Sequence, residues 1–404
     1  MKIHSLLIYD VFRKMKNIYI LLFSLCPILN FGQANVGYTL VDAKMNAIPA
    51  SATVSTDAIV NYINANFKTD NDKIRAAFYW TASNISYDVK NMLNQNPVET
   101  SQEKITNTLK TRKGVCIDYA EVFNELTKKI GLESCIIDGY TKQNGKVATL
   151  AHAWTAAKME GKWYVFDPTW GSGYVDKDKF SKKLNNHYFK AEPSKIIASH
   201  IPFDYLWQFL NYPITNAEFY EGKIQINKTK KYFDFEKEIA QQSTLTEIDQ
   251  LFASAERIEK NGLKNALIVE YYQVKKKQLT YLRQNANIEK LNAVVAEMNE
   301  AVVLLNDFIS YRNNKFKPTF PDEEINNMIQ KPREKLIKCR DEVYKVGSTG
   351  TENASNMASI KKSIEANLAI AEEHALFVKN YLSKSKLVRK TMFSKVSWFG
   401  IPLN

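Results

Sequence analysis

The sequence predicts an α+β domain followed by an all-α helical domain, and three observations carry that expectation. After Cys116 the apolar residues Tyr119, Val122, Phe123, Leu126 and Ile130 recur at helical spacing. Three strand-like runs follow, "SCIIDGYTK", "TLAHAWTAAK" and "KWYVFDPTW". From about Phe235 glycine becomes rare, and apolar residues keep a helical period through 245–258, 288–309 and 360–382. A helix and then an antiparallel meander is an α+β pattern, and the long amphipathic helices after it form a bundle.

Taken in order, residues 35–55 read as a short irregular N-terminal lead-in. Ile59, Tyr62 and Ile63 then form one helical face, which Ile74, Ala77, Phe78 and Ala82 continue through "KIRAAFYWTASNISYD". Residues 89–102 read as a loop, "KITNTLKTRKG" leads into Cys116, and Gly131 closes the helix that starts there. If Glu160 and Gly161 make a two-residue turn, Met159 faces Lys162. Counting outward puts Trp154 opposite Asp167, with His152 one diagonal step away on the same face. Residues 181–220 read as an irregular, aromatic-rich wrap over the core. Beyond them, "NNKFKPTFPDEE" and "GSTGTENAS" break a bundle of four to six helices. The expected domains are 56–220 for the α+β part, 221–390 for the bundle and 391–404 for a C-terminal tail.

Lys14 and Lys16 precede the apolar run Ile18 to Leu29, and the small residues Gly32 and Ala34 follow, the pattern of a cleaved signal peptide over residues 1–34. The run is short for a bilayer span, so no transmembrane segment is expected in the mature chain. Met15 offers an alternative start that would leave residues 1–14 untranslated. The expected location is periplasmic or extracellular, with cell-surface association as a variant.

Lys and Arg number 55 against 43 Asp and Glu, a net charge of +12 that favours acidic surfaces. The basic residues are spread along the chain as on solvated helices, and no zinc-finger or RNP signature occurs, so nucleic acid is not an expected partner. No cofactor pattern stands out, and no cofactor is expected. Of the four cysteines, Cys26 leaves with the signal peptide. Cys116, Cys135 and Cys339 remain, an odd and widely spaced set that makes no disulfide framework. Cys135 reads as buried in a strand and Cys339 as part of a lysine-rich helix.

A thiol nucleophile needs a favourable electrostatic setting, a histidine to share its proton and a third group to orient that histidine. A helix beginning at Cys116 presents unpaired backbone N–H groups and a positive dipole end to the sulfur. Those N–H groups also suit an oxyanion. Gly114 allows close approach at the turn, and the hairpin register supplies His152 with Asp167. Each residue alone has an ordinary alternative: a buried cysteine, a satisfied core histidine, an Asx turn before Pro168. The three in this order are far more specific. No second Cys or His falls at ligand spacing near them, and His187 and His200 read as isolated, so no metal site is expected.

At these residues the sequence resembles the transglutaminase-like superfamily. "KGVCIDYAEVFNELTKKIGLESCIIDGYTK", "AHAWTAAKMEGKWYVFDPTWGSGY" and "KIRAAFYWTASNISYD" are similar to its bacterial secreted members, in the branch of the kyphoscoliosis peptidase and cytokinesis proteins. The resemblance covers roughly residues 55–220. It implies a papain-like core with Cys116 as nucleophile, His152 as general base and acid, and Asp167 as orienting carboxylate. The substrate would be a protein or peptide, a cell-wall peptide among the candidates. Peptide or amide hydrolysis is the expected reaction because water is available everywhere, whereas amine transfer needs a pocket that excludes it. Protein–glutamine cross-linking and a non-catalytic binding scaffold are the alternatives. Gly114, Tyr119, Trp154 and Trp170 are the candidates for a substrate groove, and the helical domain for a protein partner.

Overall fold

The computed structural model describes residues 37–404 except 94–95, 97–98, 394–396, 399–400 and 403–404. The expected signal peptide lies outside the described residues. The chain divides between Val274 and Lys275 into two compact units. Residues 221–274, expected with the bundle, belong to the first.

The first unit opens with helices α1 (Thr39–Asn46), α2 (Thr56–Asn66), α3 (Asp70–Asn84) and α4 (Ser101–Thr111). Each of the last three is fixed at its start by a hydroxyl. Ser55 accepts from the Ala58 N–H, Thr69 from Asp72, and Thr100 makes a reciprocal capping box with Glu103. The lead-in expected to be irregular is helical because tertiary contacts hold it. Val41 and Met45 are buried, and Asp42 receives the Arg75 guanidinium through Nε at 2.7 Å and Nη2 at 2.6 Å. Arg75 is fully buried and also donates to Asn186 at 2.7 Å, which ties the helices to the loop beside the site described below.

Helix α5 (Cys116–Lys129) buries Tyr119, Val122, Phe123 and Leu126, the face read from the sequence, and Gly131 beyond it has φ +94°. Two-residue strands β1 (Ser86–Tyr87) and β2 (Lys113–Gly114) pair in parallel just before it.

The main sheet is antiparallel, in the order β5 (Lys162–Phe166), β4 (Lys146–Met159), β3 (Ser134–Gln143), β8 (His200–Pro202). Its hairpin has the expected register, Met159 opposite Lys162 through Thr155 opposite Phe166. Glu160 and Gly161 both take positive φ, 51° and 76°, so the turn twists with its strands. Ala157, Met159 and Phe166 join the helical core around Phe78, Phe123 and Leu126. Ile137, Trp154, Ala156, Trp163 and Val165 form a second cluster with Phe209. Between β5 and β8 lie the small hairpin β6 (Gly173–Asp176) and β7 (Lys179–Lys182).

Strand β8 falls inside the stretch expected to be irregular. It pairs with β3 at Thr141 to His200 and Gly139 to Pro202. Gly139 makes this possible: a Cβ there would stand 2.2 Å from the Ile201 carbonyl oxygen and 2.4 Å from the Trp154 ring.

In the second unit the helices Asp322–Val343 and Ala354–Leu382 pack with the later part of Ala266–Asn313, a helix of 48 residues. Leu305, Phe308, Ile329, Leu336, Leu368 and Val378 form its core. Among the described residues no helix is long and apolar enough to cross a membrane. The molecule is thus an α+β core with an antiparallel sheet, followed by a large helical region.

Candidate active site

Cys116 is the first residue of α5 and is half-buried. The residue before it, Val115, is extended, and its N–H donates to the Asp118 carboxylate at 2.8 Å. The acid therefore closes the helix start from within. Gly114 is buried against this cap, and a Cβ on it would lie 2.6 Å from the Asp118 Cβ. Its smallness admits Asp118 at the helix start. The first N–H groups of α5 lack intrahelical acceptors by geometry, so the helix start is suited to negative charge.

His152 on β4 is buried, with Nε2 2.8 Å from Asp167 Oδ2. Cys116 lies near enough to favour the charged form of this imidazole. Nε2 is engaged by the carboxylate, which leaves Nδ1 for the thiol. The other Asp167 oxygen, Oδ1, accepts from the backbone N–H groups of Thr169 at 2.8 Å and Trp170 at 3.1 Å, capping the short helix Pro168–Ser172. The Asx turn and the histidine partner, alternatives in the sequence, are both present, one on each oxygen.

The electrostatics follow from this packing. Burial opposes a charged His152, but the Asp167 carboxylate, its hydrogen bond and then Cys116 outweigh it and push the imidazole up to about 10. Burial likewise opposes a charged Asp167, and His152 and His200 together hold it well below the usual carboxylate range.

His200 corrects the expectation that it is isolated. It is buried on β8, with Nε2 3.1 Å from the same Asp167 Oδ2 and Nδ1 2.8 Å from Ser199 Oγ. Burial lowers its basicity. The ligand atoms of His152, Asp167 and His200 all lie within 4.8 Å of one another, so a second histidine does stand at ligand distance. Both imidazoles meet one carboxylate oxygen at hydrogen-bond range, closer than the roughly 3.3 Å between ligands around a tetrahedral zinc. The arrangement is a hydrogen-bonded relay. The one sequence signal for His200 was the glycine inside β3, which marks a close backbone approach.

The other candidates separate by burial. Tyr119 is fully buried, its hydroxyl donating to the Ile85 carbonyl at 2.8 Å. Trp154 is also buried, edge-on to His200 at 5.1 Å. Both rings are packed in the interior. Trp170 is half-buried, 5.8 Å from His152 and 4.7 Å from His200 between ring centroids. A polar recess of about 100 Å³ lies beside the helix start, lined among others by Asp88, Glu99, Lys104 and Asp118. Of the other thiols, burial pushes Cys135 up to about 12 and also raises Cys339.

With this geometry in view, comparison with known proteins gives a consistent result. Residues 57–168 match the model of the transglutaminase-like superfamily. Two proteins named kyphoscoliosis peptidase, from Mus musculus and Homo sapiens, are each 31% identical to this chain, over 192 and 181 residues. The matches cover 44% and 43% of this chain but only 28% and 27% of those proteins. A solved structure described as "Crystal structure of a TGase" is 17% identical over 40% of each chain, with a TM-score of 0.24, too low to bear on the fold. His200 lies beyond the last residue of the family match. Residues 57–168, which carry the Cys116 helix, the His152 strand and Asp167, form a transglutaminase-like domain.

Proposed function

We propose that this chain is a cysteine-dependent acyl-transfer enzyme, a peptidase or amidohydrolase, with Cys116 as nucleophile, His152 as general base and acid, and Asp167 as orienting carboxylate. The observation that carries this reading is the 2.8 Å His152–Asp167 bond, with Cys116 at the start of a helix and close enough to favour the charged imidazole.

In this reading the Cys116 sulfur attacks the carbonyl carbon, and its proton rests on His152 Nδ1. Backbone N–H groups of the first turn of α5 face the developing oxyanion. The C–N bond then breaks as His152 gives its proton to the departing amine, leaving a thioester. Water, deprotonated by His152, attacks that thioester and releases the acid, and the proton returns to sulfur. Asp167 holds the ring throughout and stabilises the imidazolium.

Hydrolysis is favoured over amine transfer because water reaches any open site, whereas cross-linking needs an amine pocket that excludes water. The two similar proteins are named as a peptidase, which supports the same choice. Export through residues 1–34 and recruitment of a protein substrate by the helical unit complete the proposal, the first on the pattern of "IYILLFSLCPIL".

The test is hydrolysis of peptide and glutamine-amide substrates, with ammonia release followed with and without a primary amine. Activity that disappears in Cys116→Ala and does not depend on the amine supports the hydrolase. Equal activity in Cys116→Ala, with the protein folded, rejects the enzyme reading.

A further inference from the structure

His200 has no step in the mechanism above, yet it makes one of the four hydrogen bonds of the central carboxylate. Asp167 Oδ1 is held by two backbone N–H groups, and Oδ2 by His152 and His200. An ionised carboxylate only accepts, so His200 carries its proton on Nε2. In the neutral ring Nδ1 is then an acceptor, and Ser199 Oγ–H donates to it at 2.8 Å. The Ile196 carbonyl, 3.2 Å from the same hydroxyl, is the competing acceptor. Burial lowers the His200 pKa and keeps the ring neutral.

We propose that His200 is a positioning residue for the base: as a neutral donor it shares Asp167 Oδ2 with His152, fixes the carboxylate and limits how tightly it holds the His152 proton. The inference rests on the proposed role of His152. A carboxylate oxygen that receives two donors offers each less electron density than one that receives a single donor. With His200 present, His152 is oriented by Asp167 but held less tightly as an imidazolium than by an unshared carboxylate, which eases return of its proton to a leaving amine.

The topology was built for this contact. His152 pairs with Gly139, and Gly139 with Pro202, so β4 and β8 flank a position with no side chain. The two imidazoles approach to 5.6 Å between centroids. Among the described residues, Cys116, Asp167 and His200 lie around His152, and Asp167, His152, His187 and Tyr188 lie around His200. Tyr87 and Tyr119, both raised by burial, add to the groups near Asp167.

Two variants separate the donor from its packing. His200→Phe keeps a ring against Trp154 and Trp170 and removes the N–H, whereas His200→Gln keeps an N–H at similar reach and loses the ring. Titration of His152 is read by NMR on full-length protein with ¹⁵N-labelled histidine. The His152 pKa should rise by about half a unit or more in the Phe variant and stay near its original value in Gln. The reverse pattern, or an unmoved titration in both, overturns the proposal. Should the Phe variant not fold, the unsubstituted protein decides. A neutral His200 with its proton on Nε2 between pH 6 and 9 agrees, and a proton on Nδ1 overturns it. Alkylation of Cys116 at pH 6 in the unsubstituted protein and in His152→Ala, with His200 intact in both, reports separately on the enzyme reading.

Discussion

His152 Nε2 stands 2.8 Å from Asp167 Oδ2, while the other oxygen of that carboxylate caps the next helix through the Thr169 and Trp170 N–H groups. One side chain therefore ends the strand, starts the helix and aims the imidazole. Orientation of the base is built into the backbone path at this corner.

Asp167→Asn tests that double duty. A carboxamide offers one acceptor and one donor side, so either the histidines or the backbone N–H groups lose their acceptor. Stability should fall by about 2–4 kcal/mol from buried donors left unpaired. Activity should fall by at least about a hundredfold as the base loses its orientation. Urea unfolding and peptide hydrolysis measure the two losses; a variant as stable and active as the parent contradicts the corner geometry.

The pair also sets a pH dependence of stability. His152 is raised to about 10 when folded, above an ordinary value near 6.5. Its contribution is complete below about pH 6.5 and is lost as pH rises toward 10. Asp167 is lowered, so its contribution is present above about pH 4 and lost as pH falls below that. The stability gap between parent and Asp167→Asn should therefore be widest near pH 5–6 and narrow toward pH 9. A gap independent of pH would show that the ion pair contributes nothing.

Arg75→Met probes how the helices hold the site loop. It removes a fully buried guanidinium together with its two bonds to Asp42 and its bond to Asn186. The expected cost is about 3 kcal/mol, moderated because Asp42 keeps some solvent contact. A urea midpoint within error of the parent would contradict it.

Gly139→Ala tests the close approach of β8. The added methyl would meet the Ile201 carbonyl oxygen at 2.2 Å and the Trp154 ring at 2.4 Å. Backbone cannot yield cheaply, so a loss of about 1–3 kcal/mol is expected. The histidine signal of His200 should shift in the NMR spectrum as β8 moves. An unperturbed His200 resonance would contradict this packing.

These residues also show what could be read from the sequence. The hairpin was legible because a two-residue turn fixes register, and strand alternation then fixes which residues share a face. The Cys116 helix was legible from its apolar period. His200 was not, because β8 is three residues long and joins the sheet 33 residues after Asp167, where no local pattern records the pairing. Helix α1 was missed for a related reason: its hold is an ion pair from Asp42 to Arg75, 33 positions away. The burial of the Tyr119 and Trp154 rings was not legible, because aromatic residues near a nucleophile look alike in sequence whether buried or exposed.

The most direct test of the central claim is the rate of Cys116 alkylation by iodoacetamide from pH 5 to 9, read by mass spectrometry beside Cys135 and Cys339. The account predicts that Cys116 is modified first and stays reactive below pH 7, and that His152→Ala removes that acid-side reactivity. A Cys116 rate that falls about tenfold per pH unit below neutrality in both proteins, as for an unassisted thiol, would contradict it.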